Sequence, residues 1–216
     1  MRFPFCLAAL TLLAAPSHAW SAEYDFAAMI LPVPTAAKFS DPDYYVWCGT
    51  MVRGDDGKCH LFMVYKAVGD KGQTPFGGPV LHCVATSDSP TGPFQKHPNP
   101  IFVKEGVQFA AEDPFIWSDN QGYWAVVKDN AGHFTGAGKS TALWRSDDGL
   151  DWRLAKHPLV ATTEITWEGG QRQKQNSLER PQLFFENGQP AVLLFATDAD
   201  KNREHSFNVR IPLRSP

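Results

Sequence analysis

An apolar run, an acidic or Asn-Gly turn and a second apolar run recur three times along this chain. The stretches are GTMVRGDDGKCHLFMVY from Gly49, EDPFIWSDNQGYWAVVK from Glu112 and ERPQLFFENGQPAVLLF from Glu179, with starts 63 and 67 residues apart. Self-similarity at a nearly constant period is the mark of a repeat architecture, because each copy must be one supersecondary unit that buries its apolar face against the next. Each copy reads as a hairpin. Aromatic and β-branched runs flank Asp56-Gly57, Gln121-Gly122 and Asn187-Gly188, where glycine supplies the positive φ of a tight turn.

A second hairpin follows in the first two copies. Val80 to Ile101 and Thr141 to Val160 share an apolar strand, a Ser-Asp turn, an aromatic and then Lys-His-Pro. Two hairpins make four antiparallel strands per unit, and radial repetition of such small sheets leaves only short, protected edges. The expected fold is therefore all-β, a β-propeller built from four-stranded blades, with about three repeats in this chain. The third copy has His205 to Leu213 as its third strand and then ends, so Asp25 to Pro34 is a candidate to supply the missing outer strand. No low-complexity linker interrupts the chain, which reads as one domain over 20–216.

Residues 1–19 read as an export signal. Arg2 precedes the apolar run Phe3 to Ala15, and Ser17-His18-Ala19 places small residues at the positions a signal peptidase reads, with cleavage possible as late as Ala22. The run is too short for a membrane span, and a periplasmic or secreted location is expected. Cys6 leaves with the signal. Cys48, Cys59 and Cys83 remain, without metal-site spacing, and read as core or half-buried thiols. A net charge of −3 with no basic run argues against nucleic acid or an anionic membrane as a partner. Seven tryptophans favour a carbohydrate partner weakly, since indoles fill β cores as well as stack on sugar rings. Trp117, Trp124, Trp144 and Trp152 read as blade core. Trp47, and Trp167 in a long polar loop, are the better sugar platforms.

Chemistry should sit where the first strands of the blades begin, because innermost strands line a shared axis. Glu112 and Asp113 open one copy, and Glu179 and Arg180 the next. Neighbouring residues on a strand face opposite sides, so Glu112 and Asp113 cannot both reach the axis unless the strand is bulged or has just begun. By repeat equivalence Glu112 pairs with Glu179 and Asp113 with Arg180. Two inward carboxylates are what glycosidic-bond cleavage requires, one protonated and one ionised. The structural alternative is a salt bridge from Glu112 or Asp113 to Arg180. In the first copy Gly49-Thr50 stands where the others have Glu-x-Pro, and Asp41 and Asp43 lie just upstream, in a segment that also suits a turn. His82, His133 and His205 match no metal motif, although one of them could bind a sugar hydroxyl. Gly136 and Gly138 precede no helix, so they read as a loop and not a phosphate cradle.

Several phrases in combination resemble bacterial five-bladed propeller glycoside hydrolases: AEDPFIW (111–117), SDSPTGPF (87–94), FTGAGKS (134–140), LERPQLFF (178–185) and HSFNVRIPL (205–213). The chain is similar to glycoside hydrolase family 43 and to the wider arabinanase, levanase and sucrase group, and YYVWCGTMVRGDDGKCHLF (44–62) resembles their opening blade. The resemblance implies hydrolysis by three axial carboxylates: a base or nucleophile, an Asp that tunes the acid's pKa, and a Glu general acid. Asp113 matches the tuning position, and both Glu179 and Glu112 match the acid. Asp43 is the candidate third carboxylate, with Arg180, Trp47, Trp167 and His205 as substrate-binding candidates. No cofactor and no metal are expected, and the chain should be monomeric if it folds. Set beside that family, about two central blades are missing. The alternative readings are a carbohydrate-binding remnant without catalysis, and a chain that does not fold alone because its sheet edges are exposed.

Overall fold

The structure is a computed structural model that describes residues 44–67, 80–198 and 206–213 together with Pro32; for 44–53, 63–67 and Ser206 it describes the backbone alone. The chain divides into two compact units, Met1–Val33 and Pro34–Pro216, and every strand below belongs to the second. The export signal and all of Asp25 to Pro34 except Pro32 lie outside the described residues. Among the described residues no helix is long and apolar enough to cross a membrane.

All the regular structure described is β. The first sheet runs in chain order through β1 (Tyr44–Arg53), β2 (Cys59–Ala67), β3 (Val80–Ser87) and β4 (Gln95–Lys96). The second repeats this with β5 (Ala111–Asp119), β6 (Gly122–Asp129), β7 (Ser140–Ser146) and β8 (Arg153–Thr162). A two-stranded ribbon, β9 (Glu164–Thr166) and β10 (Arg172–Lys174), precedes the third sheet of β11 (Ser177–Glu186), β12 (Gln189–Asp198) and β13 (Ser206–Pro212). Neighbouring strands pair antiparallel throughout. These are the blades that the period predicts, two of four strands and one of three.

The turns follow their chemistry. Between β11 and β12, Asn187 and Gly188 have φ of 51° and 76°, the pair of positive values a two-residue hairpin loop demands. The ribbon is a correction, because the polar stretch around Trp167 reads as a loop. Gly169 and Gly170 close its turn, with the Trp167 N–H donating to the Gln171 carbonyl at 2.8 Å and the Gly170 N–H to the Trp167 carbonyl at 3.0 Å. Too few alternating apolar residues flank this turn for periodicity to reveal it.

Burial follows the pleat. In β6 Ala125 and Val127, two steps apart on one face, join Phe62 and Val84 of the first sheet and Ile116, Ala142 and Trp144 of the second in one apolar cluster. Phe102 links these sheets with edge-on contacts to Trp144 and Trp152. Trp144 is thus a core residue as expected, and the half-buried Trp152 packs against the same core. A second cluster, Ile165, Leu178, Leu193, Phe195 and Val209, joins the ribbon to the third sheet. Cys59 and Cys83 are both buried, as the core reading expects. His82 is fully buried on β3, where loss of solvent alone pulls its pKa down to about 4 and keeps the ring neutral.

Candidate active site

The first strand of each sheet carries the same irregularity. Glu112 pairs with Lys128 and Phe115 with Val126, so three steps on β5 oppose two on β6. Glu179 pairs with Ala196 and Gln182 with Leu194 in the third sheet, and Trp47 pairs with Val64 and Thr50 with Phe62 in the first. Each is a bulge with one extra residue, which re-aims the side chains around it. Asp113 and Arg180 are the second residues of two of these bulges, with φ of 50° and 54°. L-residues occupy this left-handed region at a cost of about 1–2 kcal/mol, tolerated where the surrounding structure enforces it. Pro114 and Pro181 follow, and a missing N–H costs least where the ladder is already interrupted.

The bulge resolves the problem of neighbouring acids on one strand. Glu112, Asp113 and Glu179 each place a carboxylate oxygen within 4.8 Å of the others, all three partly buried. Glu112 and Glu179 are register equivalents, as are Asp113 and Arg180, in line with the sequence pairing. The first sheet needs a correction: its bulge aligns Trp47-Cys48-Gly49, and not Gly49-Thr50, with Glu-Asp-Pro and Glu-Arg-Pro. A five-residue turn at 54–58, against two residues in the other hairpins, follows a strand that is one residue shorter from bulge to turn, and together they displace the sequence alignment by two positions.

The residue that organises the cluster was not singled out by sequence reasoning. Lys128, on β6 opposite Glu112, donates through Nζ to Glu112 Oε2 at 2.7 Å and to Glu179 Oε2 at a shorter distance, joining the second sheet to the third. Burial works to lower its pKa, but its hydrogen bonds to both glutamates outweigh that and hold it above the ordinary lysine value. Asp113 moves upward as well. Burial is the main cause and the Glu112 charge adds to it, while the positive charges of Arg180 and Lys128 oppose. Three carboxylates at this spacing are also a set that a divalent cation could bridge; here the Lys128 ammonium supplies the positive charge to two of them. The only sequence sign of Lys128 is a charged residue closing an otherwise apolar strand, YWAVVKD.

Its neighbour Asp129 is fully buried and shapes the wall beside the site. Its carboxylate accepts the backbone N–H groups of Gly132, His133, Phe134 and Thr135, and the Thr135 hydroxyl. The loop carrying Gly136 and Gly138 is therefore folded onto an aspartate and does not cradle an anion. Lys139 ties this loop to the segment leading into β11 through the Asn176 carbonyl at 3.3 Å.

The other expected residues are dispersed. Arg180 is exposed beside Asp113, within range to affect its charge. The half-buried Trp167 ring packs on the third-sheet core near Phe207, and its indole N–H donates to Gln173 at 3.0 Å. No described contact brings it to the carboxylates. Trp47 is described in backbone only, at the register position that Glu112 and Glu179 hold in the other sheets. Asp43 and His205 lie outside the described residues.

Residues 30–204 match the glycosyl hydrolases family 32 N-terminal domain. The chain belongs to that family. The match refines the resemblance to family 43 within the same wider group of propeller hydrolases. Among solved structures, an endo-arabinase from Bacteroides thetaiotaomicron is similar at 16% identity with a TM-score of 0.53, over 81% of this chain and 60% of that one, which shows the propeller fold. A family 32 β-fructofuranosidase from Bombyx mori is 19% identical with a TM-score of 0.45, and a mutant of it in complex with sucrose is 18% identical with a TM-score of 0.49. These cover 73% and 79% of this chain but only 30% and 34% of theirs, so the family 32 domain spans about a third of the enzymes it matches. No curated protein matches the sequence at a significant level.

Proposed function

We propose that this family 32 domain takes part in cleaving glycosidic bonds of a poly- or oligosaccharide, in the periplasm or outside the cell. The observation that carries this reading is the convergence of Glu112, Asp113 and Glu179 at two register-equivalent bulges, with Lys128 between the glutamates. Acid catalysis of glycoside cleavage needs one carboxyl that keeps its proton and one that stays ionised nearby. Crowding of three carboxyls in a partly buried site supplies the first condition, and the Lys128 ammonium the second.

In this reading Glu179 delivers the proton to the leaving oxygen and Asp113 tunes it by its negative field. Lys128 must give up its bond to Glu179 as substrate enters. Arg180 and Trp47 are the candidates to contact the sugar, and Asp43 is the candidate for the remaining carboxylate. A second assignment follows from the raised pKa of Asp113, in which Asp113 holds the proton and Glu179 stays ionised on Lys128. Glu179→Gln separates the two. If Glu179 is the acid, turnover of substrates with poor leaving groups falls by about 10²–10⁴-fold while activated aryl glycosides retain activity. If that split appears in Asp113→Asn instead, Asp113 is the acid. Saccharide binding with no turnover in the wild-type chain would leave a carbohydrate-binding domain and remove the hydrolytic reading.

A further inference from the structure

A cavity of about 650 Å³ opens at the other end of β5 and β11, between the β5–β6 and β11–β12 hairpins. Trp117, Trp124 and Phe185 form its wall, and Asp119, Gln121 and Gln189 stand at its mouth. Trp117 is five residues along β5 from Glu112, roughly 16 Å at strand rise, so the cavity is separate from the carboxylate cluster. Sequence reasoning assigns both tryptophans to blade core. They are instead half-buried and belong to neither apolar cluster.

The wall is held rigidly. Trp117 and Trp124 are cross-strand partners whose ring planes differ by 15° with centroids 6.4 Å apart, and Phe185 stands 5.8 Å from Trp117 at 60°. The Trp124 indole N–H donates to Asp119 Oδ1 at 3.1 Å. The Arg145 guanidinium lies 5.3 Å from the Trp124 ring centre and donates to the Gln121 carbonyl at 3.2 Å. Flat apolar faces fixed in place beside side-chain amides and a carboxylate match the two sides of a sugar: C–H faces that stack on an indole, and hydroxyls that pair with planar acceptors and donors. A carboxylate at the mouth disfavours phosphate and other anions, and the polar rim disfavours a lipid tail. The volume suits one or two sugar rings.

We propose that this cavity is a second, non-catalytic saccharide site, which holds a neutral oligosaccharide at the far end of the strands that carry the carboxylates. The ligand class rests on the proposed function, but binding here does not depend on catalysis. The test is calorimetric and tryptophan-fluorescence titration of the full chain carrying Glu179→Gln with fructotetraose, arabinotetraose and maltotetraose. Trp117→Ala removes the wall. Gln189→Trp, at an exposed position of the mouth, fills the space without touching the core. We expect at least one probe to bind, and both added substitutions to weaken that binding tenfold or more, or to remove one of two sites. Affinity and stoichiometry within twofold of the parent in Gln189→Trp, or no binding of any probe, overturns the proposal; so does weakening in Trp117→Ala alone with a lowered melting temperature. Turnover by the wild-type chain is scored separately, so a binding cavity without hydrolysis, and hydrolysis without a binding cavity, are distinct results.

Discussion

The bulges of β5 and β11 are the same backbone device carrying opposite charges. Each has a glutamate before it, a left-handed residue within it and a proline after it, but that residue is Asp113 in one and Arg180 in the other. The first sheet shares the bulge and carries Trp47-Cys48-Gly49 instead. Repetition thus supplies a geometry that aims side chains at one place, and individual substitutions decide what chemistry arrives there. Lys128 shows the same economy: its register equivalents are Val64 and Ala196, so at that position the cation comes from the second sheet.

The largest effect expected comes from breaking the joint between the two charged bulges. Lys128→Met leaves partly buried carboxylates without their shared ammonium, and removal of one member of a buried ion pair costs about 3 kcal/mol or more. Urea denaturation at pH 7 should show that loss. A loss under about 0.5 kcal/mol there would mean the bridge contributes nothing.

Next in size is the contrast between the first sheet's buried histidine and the second sheet's half-buried Asp113. His82 has its pKa lowered from 6.5 to about 4, so the unfolded chain binds a proton that the folded chain refuses, and stability falls as pH drops through that window. The full effect is about 3 kcal/mol. Asp113 is raised above 3.8, so its folded form holds the proton longer and it has the opposite sign: its contribution is present at low pH and is lost as pH rises through the raised value. Urea midpoints measured from pH 7 to 4 should decline, and Asp113→Asn should make the decline steeper. A flat profile, with His82 protonated at pH 5.5 by NMR, would show that the ring reaches solvent.

The smallest effect sharpens the comparison of the bulges themselves. Glycine relieves left-handed strain at either position, against a greater loss of backbone entropy. Asp113→Gly also removes a carboxylate whose burial and repulsion from Glu112 outweigh its attraction to Arg180 and Lys128, so it should stabilise by about 1 kcal/mol. Arg180→Gly gives up attraction to Asp113, so its net change should be near zero. Equal changes in thermal stability would show that strain alone matters and charge does not.

Much of this was legible in the chain, for a reason that differs between its parts. The blades could be read because apolar alternation and turn glycines report on neighbours within about twenty residues, and antiparallel hairpins are built from such neighbours. Glu112, Asp113 and Glu179 could be named because they open repeated strands. The requirement that a bulge admit both acids was also visible, although not its presence. The ribbon around Trp167 escaped because three-residue strands carry almost no period. Trp117 and Trp124 read as core from the sequence because local pattern says that an indole lies on a strand but not whether a neighbouring sheet covers it.

What the sequence determined by itself is the repeat, the strand order within each sheet and the residue types available at the start of each first strand. Tertiary structure alone decided that Lys128 spans 51 residues to reach Glu179, that the first sheet's bulge falls at Trp47, and that two hairpins leave a cavity between them. The physical reason is range: hydrogen-bonded hairpins and glycine turns are set by contacts close in the chain, whereas the charge, burial and spacing of a site depend on which sheets come to face one another.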